Sequence, residues 1–124
     1  MRRGTKKHYD IHREAVRALV LRRLAHYNRL YGYEYNKVFI RNTRSRWGSC
    51  SSRRNLNFNY RLALLPAELC DYVIVHELCH LEQFNHSAEF WALVARAVPD
   101  YAARRRALRQ VERPATAHFG MIKA

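Results

Sequence analysis

Residues 73–82 carry the feature that most constrains this chain: two histidines with a glutamate between them, in a segment that is otherwise apolar except for Glu82. His76 and His80 are four residues apart, and four residues of α-helix turn through about 400°, so both imidazoles share one face. Glu77 lies about 100° further round and can reach the same side of an ion held between them. This H-E-x-x-H arrangement is typical of a helix that binds zinc and uses the glutamate on the zinc-bound water.

A third histidine, His86, follows six residues after His80. On an uninterrupted helix it would lie about 240° round from His80 and face away from the ion. We therefore expect the helix to end between them, and Asn85 suits a left-handed turn there. Three histidines would then fill three tetrahedral positions and leave the fourth to water, as in catalytic zinc sites. Glu82 and Glu89 are the alternative third ligands.

Length, cysteine usage and hydropathy predict one domain over residues 1–124, with flexible ends at about 1–9 and 114–124. The chain has 124 residues, 48% of them hydrophobic, which is enough for a folded core. The three cysteines have no paired spacing, so a reducing compartment and a cytoplasmic location are expected. The sequence shows neither a signal-peptide core nor an apolar run long enough to cross a membrane.

The charge of the chain predicts polyanionic partners. Lys and Arg number 23 against 10 Asp and Glu, a formal net charge of +13. Such an excess favours nucleic acid, nucleotides or acidic polypeptides as partners. The alternative is a basic surface that is merely solvated.

Apolar periodicity predicts an α+β fold. Residues 37–41 are β-branched or aromatic and residues 55–60 alternate strictly between apolar and polar, so both are predicted strands. We expect them to form a small antiparallel sheet with its turn at residues 53–55. This sheet would pack on the helices.

Four helices are predicted around that sheet. The first covers about residues 11–31, with Asp10 as its cap. Pro66 suits the first turn of the histidine-bearing helix, which is apolar on both sides and should therefore be central and buried. Ser87 and Asp100 can cap two further helices.

Several short motifs occur in order between about Arg41 and Tyr101: Arg46-Trp47-Gly48-Ser49-Cys50-Ser51, Asp71-Tyr72-Val73-Ile74, His76-Glu77-Leu78-Cys79-His80-Leu81, Asn85-His86-Ser87 and Phe90-Trp91. Together they resemble the YgjP-like metallopeptidase family and, more distantly, the SprT-like proteases. The resemblance implies a zincin-like α+β domain that binds Zn²⁺ through His76, His80 and His86 and uses Glu77 as general base. Arg54 stands where the family usually has a glycine in the hairpin turn.

Other polar residues have weaker claims to a role in the site. Arg46 is a weak candidate for substrate binding, because a guanidinium suits bidentate contacts with an anion. The donor that steadies an oxyanion stays open between Arg46, Tyr60 and Tyr101. For Cys50 and Cys79 a packing role is favoured over a reactive or ligating one.

Three functions are compatible with these features. The favoured one is a zinc-dependent hydrolase of the peptidase type, acting on a polypeptide through a glutamate-activated water. The second is hydrolysis of a nucleoside triphosphate, the other activity associated with the family; it suits the basic charge, but the chain lacks a Walker-type phosphate loop. The third is a zinc-stabilised module that binds nucleic acid through its arginines.

Overall fold

The computed structural model describes residues 4–112, in which four α-helices and a three-stranded sheet form an α+β fold, as predicted. The helices are α1 (Lys6–Tyr31), α2 (Ala67–Cys79), α3 (Ala88–Ala97) and α4 (Tyr101–Glu112), and the strands are β1 (Val38–Arg41), β2 (Gly48–Cys50) and β3 (Leu56–Asn59). A short 3₁₀ helix, Tyr60–Leu64, follows β3. The C-terminal segment predicted to be flexible lies outside the described residues, as do residues 1–3. Within residues 4–112, no helix is both long and apolar enough to span a bilayer.

The first helix begins earlier than the sequence predicts. Thr5, rather than Asp10, is its N-cap, and the Thr5 Oγ1 atom accepts a hydrogen bond of 3.1 Å from the His8 backbone N–H. Asp10 lies inside α1 and forms an ion pair with Lys6 at 2.6 Å. Residues 6–9 are therefore helical.

The sheet is mixed, with strand order β1-β3-β2, so the prediction of a purely antiparallel sheet is wrong. β1 runs parallel to β3, with Val38 opposite Leu56. The antiparallel partner of β3 is β2, which places Gly48 opposite Phe58. The hairpin reverses the chain after β2, so β3 runs in the same direction as β1. β3 lies between the other two strands, so β2 is an edge strand.

α2 is the central, buried helix that its apolar residues predict. It packs against α1, α3, α4 and β2, and Tyr72, Val73 and Leu78 are fully buried. A polar cluster also fixes it to α1. The Arg23 guanidinium donates to both oxygens of Asp71 at 2.9 and 2.7 Å, and the Tyr27 hydroxyl donates to Asp71 Oδ2 at 2.8 Å. A helix held in this way can position side chains within a fraction of an ångström.

The hairpin turn between β2 and β3 contains a residue with a left-handed backbone. Arg54 has a φ of 66°, and no other non-glycine residue in the described chain has a positive φ. Its guanidinium offsets that strain by donating to the Glu34 carbonyl at 2.8 Å and to the Leu81 carbonyl at 3.2 Å. Arg54 therefore ties the hairpin to the chain that follows α2.

We predict that Arg54→Ala is less stable than Arg54→Gly. Both variants lose the guanidinium hydrogen bonds, but only alanine keeps the left-handed strain, which costs about 1 kcal/mol. The free energies of unfolding in urea, measured with the metal removed from both proteins, should differ by roughly that amount. Equal values would show that residue 54 is not left-handed in solution.

Candidate metal centre

The helix has ended before His86, as the sequence predicts, but the turn is not made by Asn85. α2 stops at Cys79 and His80 is its C-cap. The last turn tightens through hydrogen bonds from Leu81 N–H to the Leu78 carbonyl and from Glu82 N–H to the Cys79 carbonyl, at 3.1 and 3.0 Å. Asn85 is not left-handed, because these bonds already turn the chain back.

The three histidines predicted as ligands lie together. Each offers one ring nitrogen, and these atoms lie within 4.8 Å of one another. The Nε2 atoms of His80 and His86 are 3.1 Å apart. His76 and His80 are buried on α2, whereas His86 is exposed just before Ser87, the N-cap of α3. Glu82 and Glu89, the alternative ligands, do not belong to this cluster in the described chain.

The ring nitrogens have the protonation that a metal needs. His80 Nδ1 lies 2.9 Å from the Gln83 carbonyl, which can only accept, so Nδ1 carries the proton and Nε2 keeps its lone pair. His76 Nδ1 lies 3.2 Å from the carboxylate oxygen Oε2 of Glu77, which also accepts, so this Nδ1 carries the proton as well. His76 Nε2 is buried without a hydrogen-bond partner among the described residues. A buried polar atom without a hydrogen-bond partner costs about 1–3 kcal/mol of stability, and a metal ion bound to this nitrogen would remove that cost. The residues fit zinc.

The electrostatics of the cluster also favour neutral imidazoles. Partial desolvation of the His86 ring, reinforced by the neighbouring histidines, lowers the pKa of His86 to about 4. Burial also lowers the pKa of His80 below its ordinary value. Both rings are therefore neutral at neutral pH, the form that binds a metal.

Glu77 is on α2, and its side chain lies against Gly48 of the edge strand β2. It is almost fully buried, with 2% of its surface exposed. Together with the three histidines, it lines a cavity of about 180 Å³, which we call the metal cavity. A Cβ atom at Gly48 would lie 2.9 Å from Glu77 Cγ and 3.3 Å from Glu77 Oε2. Gly48 is therefore the residue that leaves room for the glutamate.

We predict that Gly48→Ala displaces Glu77, the residue that the family resemblance implies as general base, without releasing the metal. The added methyl group forces Glu77 away from its position, and a displacement of about 1 Å in a catalytic group costs on the order of 100-fold in rate. The measurement is kcat/KM together with zinc content, with Ser45→Ala in the exposed neighbouring loop as control. Native kcat/KM in Gly48→Ala would show that Glu77 is not held by this contact.

Only one of the three proposed oxyanion donors faces the metal cavity. Arg46 lines it. Tyr60 is buried and hydrogen-bonded to His8 Nδ1 at 2.8 Å, and Tyr101 stacks on Trp91 with 4.9 Å between the ring centroids. Neither tyrosine lines the cavity.

The two cysteines named above differ in position. Cys79 is fully buried, as its predicted packing role requires. Cys50 packs against the hydrophobic core, as favoured, and it also lines the metal cavity. Burial and, secondly, the Glu77 charge raise the pKa of Cys50 to about 11, so the thiol stays protonated. The sequence did not predict that Cys50 lines the cavity, because β2 has no apolar alternation that would identify it as a strand. The motif at residues 46–51, which is part of the family resemblance, was the available signal.

Fold and site together define a small zincin-like α+β domain, with an H-E-x-x-H helix beside an edge strand. The sequence matches the YgjP-like metallopeptidase domain over residues 2–111, and the chain belongs to that family.

Among the solved structures that share the fold are two crystal structures of metallopeptidase zymogens. Abylysin of Pyrococcus abyssi is 24% identical, with a TM-score of 0.67 over 74% of this chain and 93% of its own. Jannalysin of Methanocaldococcus jannaschii is 20% identical, with a TM-score of 0.59 over 77% of this chain and 95% of its own. Among curated proteins, none matches significantly.

Proposed function

We propose that this chain is a zinc-dependent metallopeptidase in which His76, His80 and His86 hold the metal and Glu77 is the general base. The observation that carries this proposal is the buried His76 Nε2 atom, which lacks a partner among the described residues and lies in one cluster with nitrogens of the other two histidines. Membership of a metallopeptidase family supports the peptide bond as the target.

The chemistry follows from the positions of the side chains. Zinc held here would polarise a scissile carbonyl and lower the pKa of a water molecule. Glu77 accepts the proton of that water on its carboxylate and then delivers it to the leaving amine. The bond to His76 Nδ1 holds the carboxylate in place during both transfers, and Gly48, which has no Cβ atom, leaves room for it.

The free edge of β2 provides a place for an extended polypeptide. The Trp47 carbonyl accepts a hydrogen bond from the Asn59 N–H of β3 at 2.8 Å, and the Ser51 N–H donates to the carbonyl of Asn55, the residue before β3, at 2.9 Å. Because antiparallel strands alternate in this way, the backbone groups of Gly48 and Cys50 face away from β3. No strand in residues 4–112 pairs with them. A substrate can therefore add to the sheet as a fourth strand beside the metal cavity.

The two other functions differ from this one in what they require. A purely structural zinc is closed by four protein ligands, whereas the cluster in the described chain offers three. Nucleotide hydrolysis draws its support from the net charge of +13 and from arginine beside the metal cavity. The unpaired backbone edge next to Glu77 favours a polypeptide.

The test is to incubate zinc-loaded protein with an unfolded polypeptide and, in parallel, with a panel of nucleoside triphosphates. We expect new peptide termini by mass spectrometry and no release of phosphate or pyrophosphate. Phosphate release without peptide cleavage would replace the peptidase by a nucleotide hydrolase. Absence of both activities, with salt-sensitive binding to DNA, would support the nucleic-acid-binding module.

A further inference from the structure

A second cavity adjoins the metal cavity along β2. It has a volume of about 260 Å³ and shares three lining residues with the metal cavity: Arg46, Gly48 and Ser49. Arg41 also lines it, and no acidic residue does. This second cavity therefore offers two positive charges beside the bond that would be cut.

The two arginines are available to bind an anion. The guanidinium of Arg46 is exposed and makes no hydrogen bond or ion pair within residues 4–112. Arg41 donates through Nε to Asn57 Oδ1 at 3.1 Å and lies over the Phe39 ring at 4.6 Å. These contacts orient the Arg41 guanidinium and leave its terminal nitrogens without a partner in the same range.

The backbone that carries Arg46 is already held in place. The Asn59 side chain is 1% exposed and donates from Nδ2 to the Thr43 and Arg46 carbonyls, at 3.0 and 3.1 Å. The next residue, Trp47, is buried and donates from Nε1 to Glu112 Oε2 at 2.7 Å. Anion binding therefore has to order only the arginine side chain, which lowers its entropic cost.

We propose that Arg46 and Arg41 form a subsite for an acidic side chain of the substrate, so that the enzyme prefers peptide bonds close to Asp or Glu. The proposal rests on the peptidase function proposed above. Side chains alternate across a strand added to β2, and those on the side of the second cavity face Arg46, while Arg41 lines the same cavity from β1. Arginine pairs with a carboxylate through strong, charge-assisted hydrogen bonds.

The experiment compares cleavage of matched peptides that contain Glu, Gln or Lys at each position around the scissile bond. For the native protein, we expect the Glu peptide at one position to exceed its Gln counterpart in kcat/KM. In Arg46→Gln, kcat/KM for that Glu peptide should fall about 10- to 100-fold relative to the Gln peptide, mainly through KM, so that the preference for Glu disappears. Arg44→Gln removes the same charge from an exposed residue outside both cavities, and should leave the preference intact.

Charge reversal gives an independent arm, because Arg46→Glu should shift the preference towards the Lys peptide. Peptides with a free or an amidated C-terminus distinguish a side-chain carboxylate from a terminal one. A preference that disappears on amidation would assign the subsite to the terminal carboxylate and overturn an acidic side chain as its occupant.

Three further outcomes would overturn the proposal. An equal loss of kcat for Glu and Gln peptides in Arg46→Gln would mean that Arg46 stabilises the oxyanion of every substrate. Cleavage by the native protein without any preference for Glu would remove the subsite and leave the peptidase function standing. Zinc-loaded native protein that cleaves none of the peptides would instead contradict the peptidase function itself.

Discussion

Glu77→Gln is expected to bind zinc like the native protein and to lose kcat by about 10²- to 10⁴-fold, the usual contribution of a general base. Glutamine has the same shape, and its amide oxygen can still accept the hydrogen bond that Glu77 Oε2 makes with His76 Nδ1 at 3.2 Å. It cannot take a proton from water. The assay is steady-state hydrolysis of the best peptide, with zinc content measured on the same sample.

Glu82→Gln and Glu89→Gln are the matched controls, since both side chains are exposed and lie outside the metal cavity. We expect both variants to keep native activity. Retention of more than about a tenth of the native kcat in Glu77→Gln would contradict its role as base.

His86→Ala is expected to weaken zinc binding by more than about 100-fold, because loss of a direct ligand exceeds the 10- to 100-fold effect of losing a supporting group around it. His86 is exposed, in contrast to the buried His76, so its removal leaves no cavity in the core. Affinity is measured by competition with a chelator. Thermal unfolding of the metal-free variant should match that of the native protein.

His26→Ala is the control for this variant, because His26 is exposed on α1 and far along the chain from the cluster. It should leave zinc affinity unchanged. Native affinity in His86→Ala would show that another group completes the site, with Glu82 and Glu89 as the first residues to substitute.

The metal centre could be predicted from the sequence because its geometry is mostly local. His76, Glu77 and His80 lie on two turns of one helix, and the helical period alone places them together. His86 required only that the helix stop before it. The turn was assigned wrongly to Asn85 because a 3₁₀-type closure needs no special residue and leaves no sequence signal.

The sheet was less predictable because its pairing is set by tertiary contacts. Gly48–Cys50 has no apolar alternation, and it is a strand only because it pairs with β3. β1 is parallel to β3 because the chain reverses direction twice, once between β1 and β2 and once in the hairpin. The cavity lined by Arg41 and Arg46 depends on both pairings, so no local pattern could predict it.

The most direct test of the central claim is a crystal structure of the zinc-loaded protein. We expect one zinc ion bound by nitrogens of His76, His80 and His86 at about 2.0–2.1 Å, with no fourth protein ligand and with Glu77 uncoordinated. A carboxylate in place of His86, or a fourth ligand such as the Cys50 sulfur, would contradict the proposed catalytic centre.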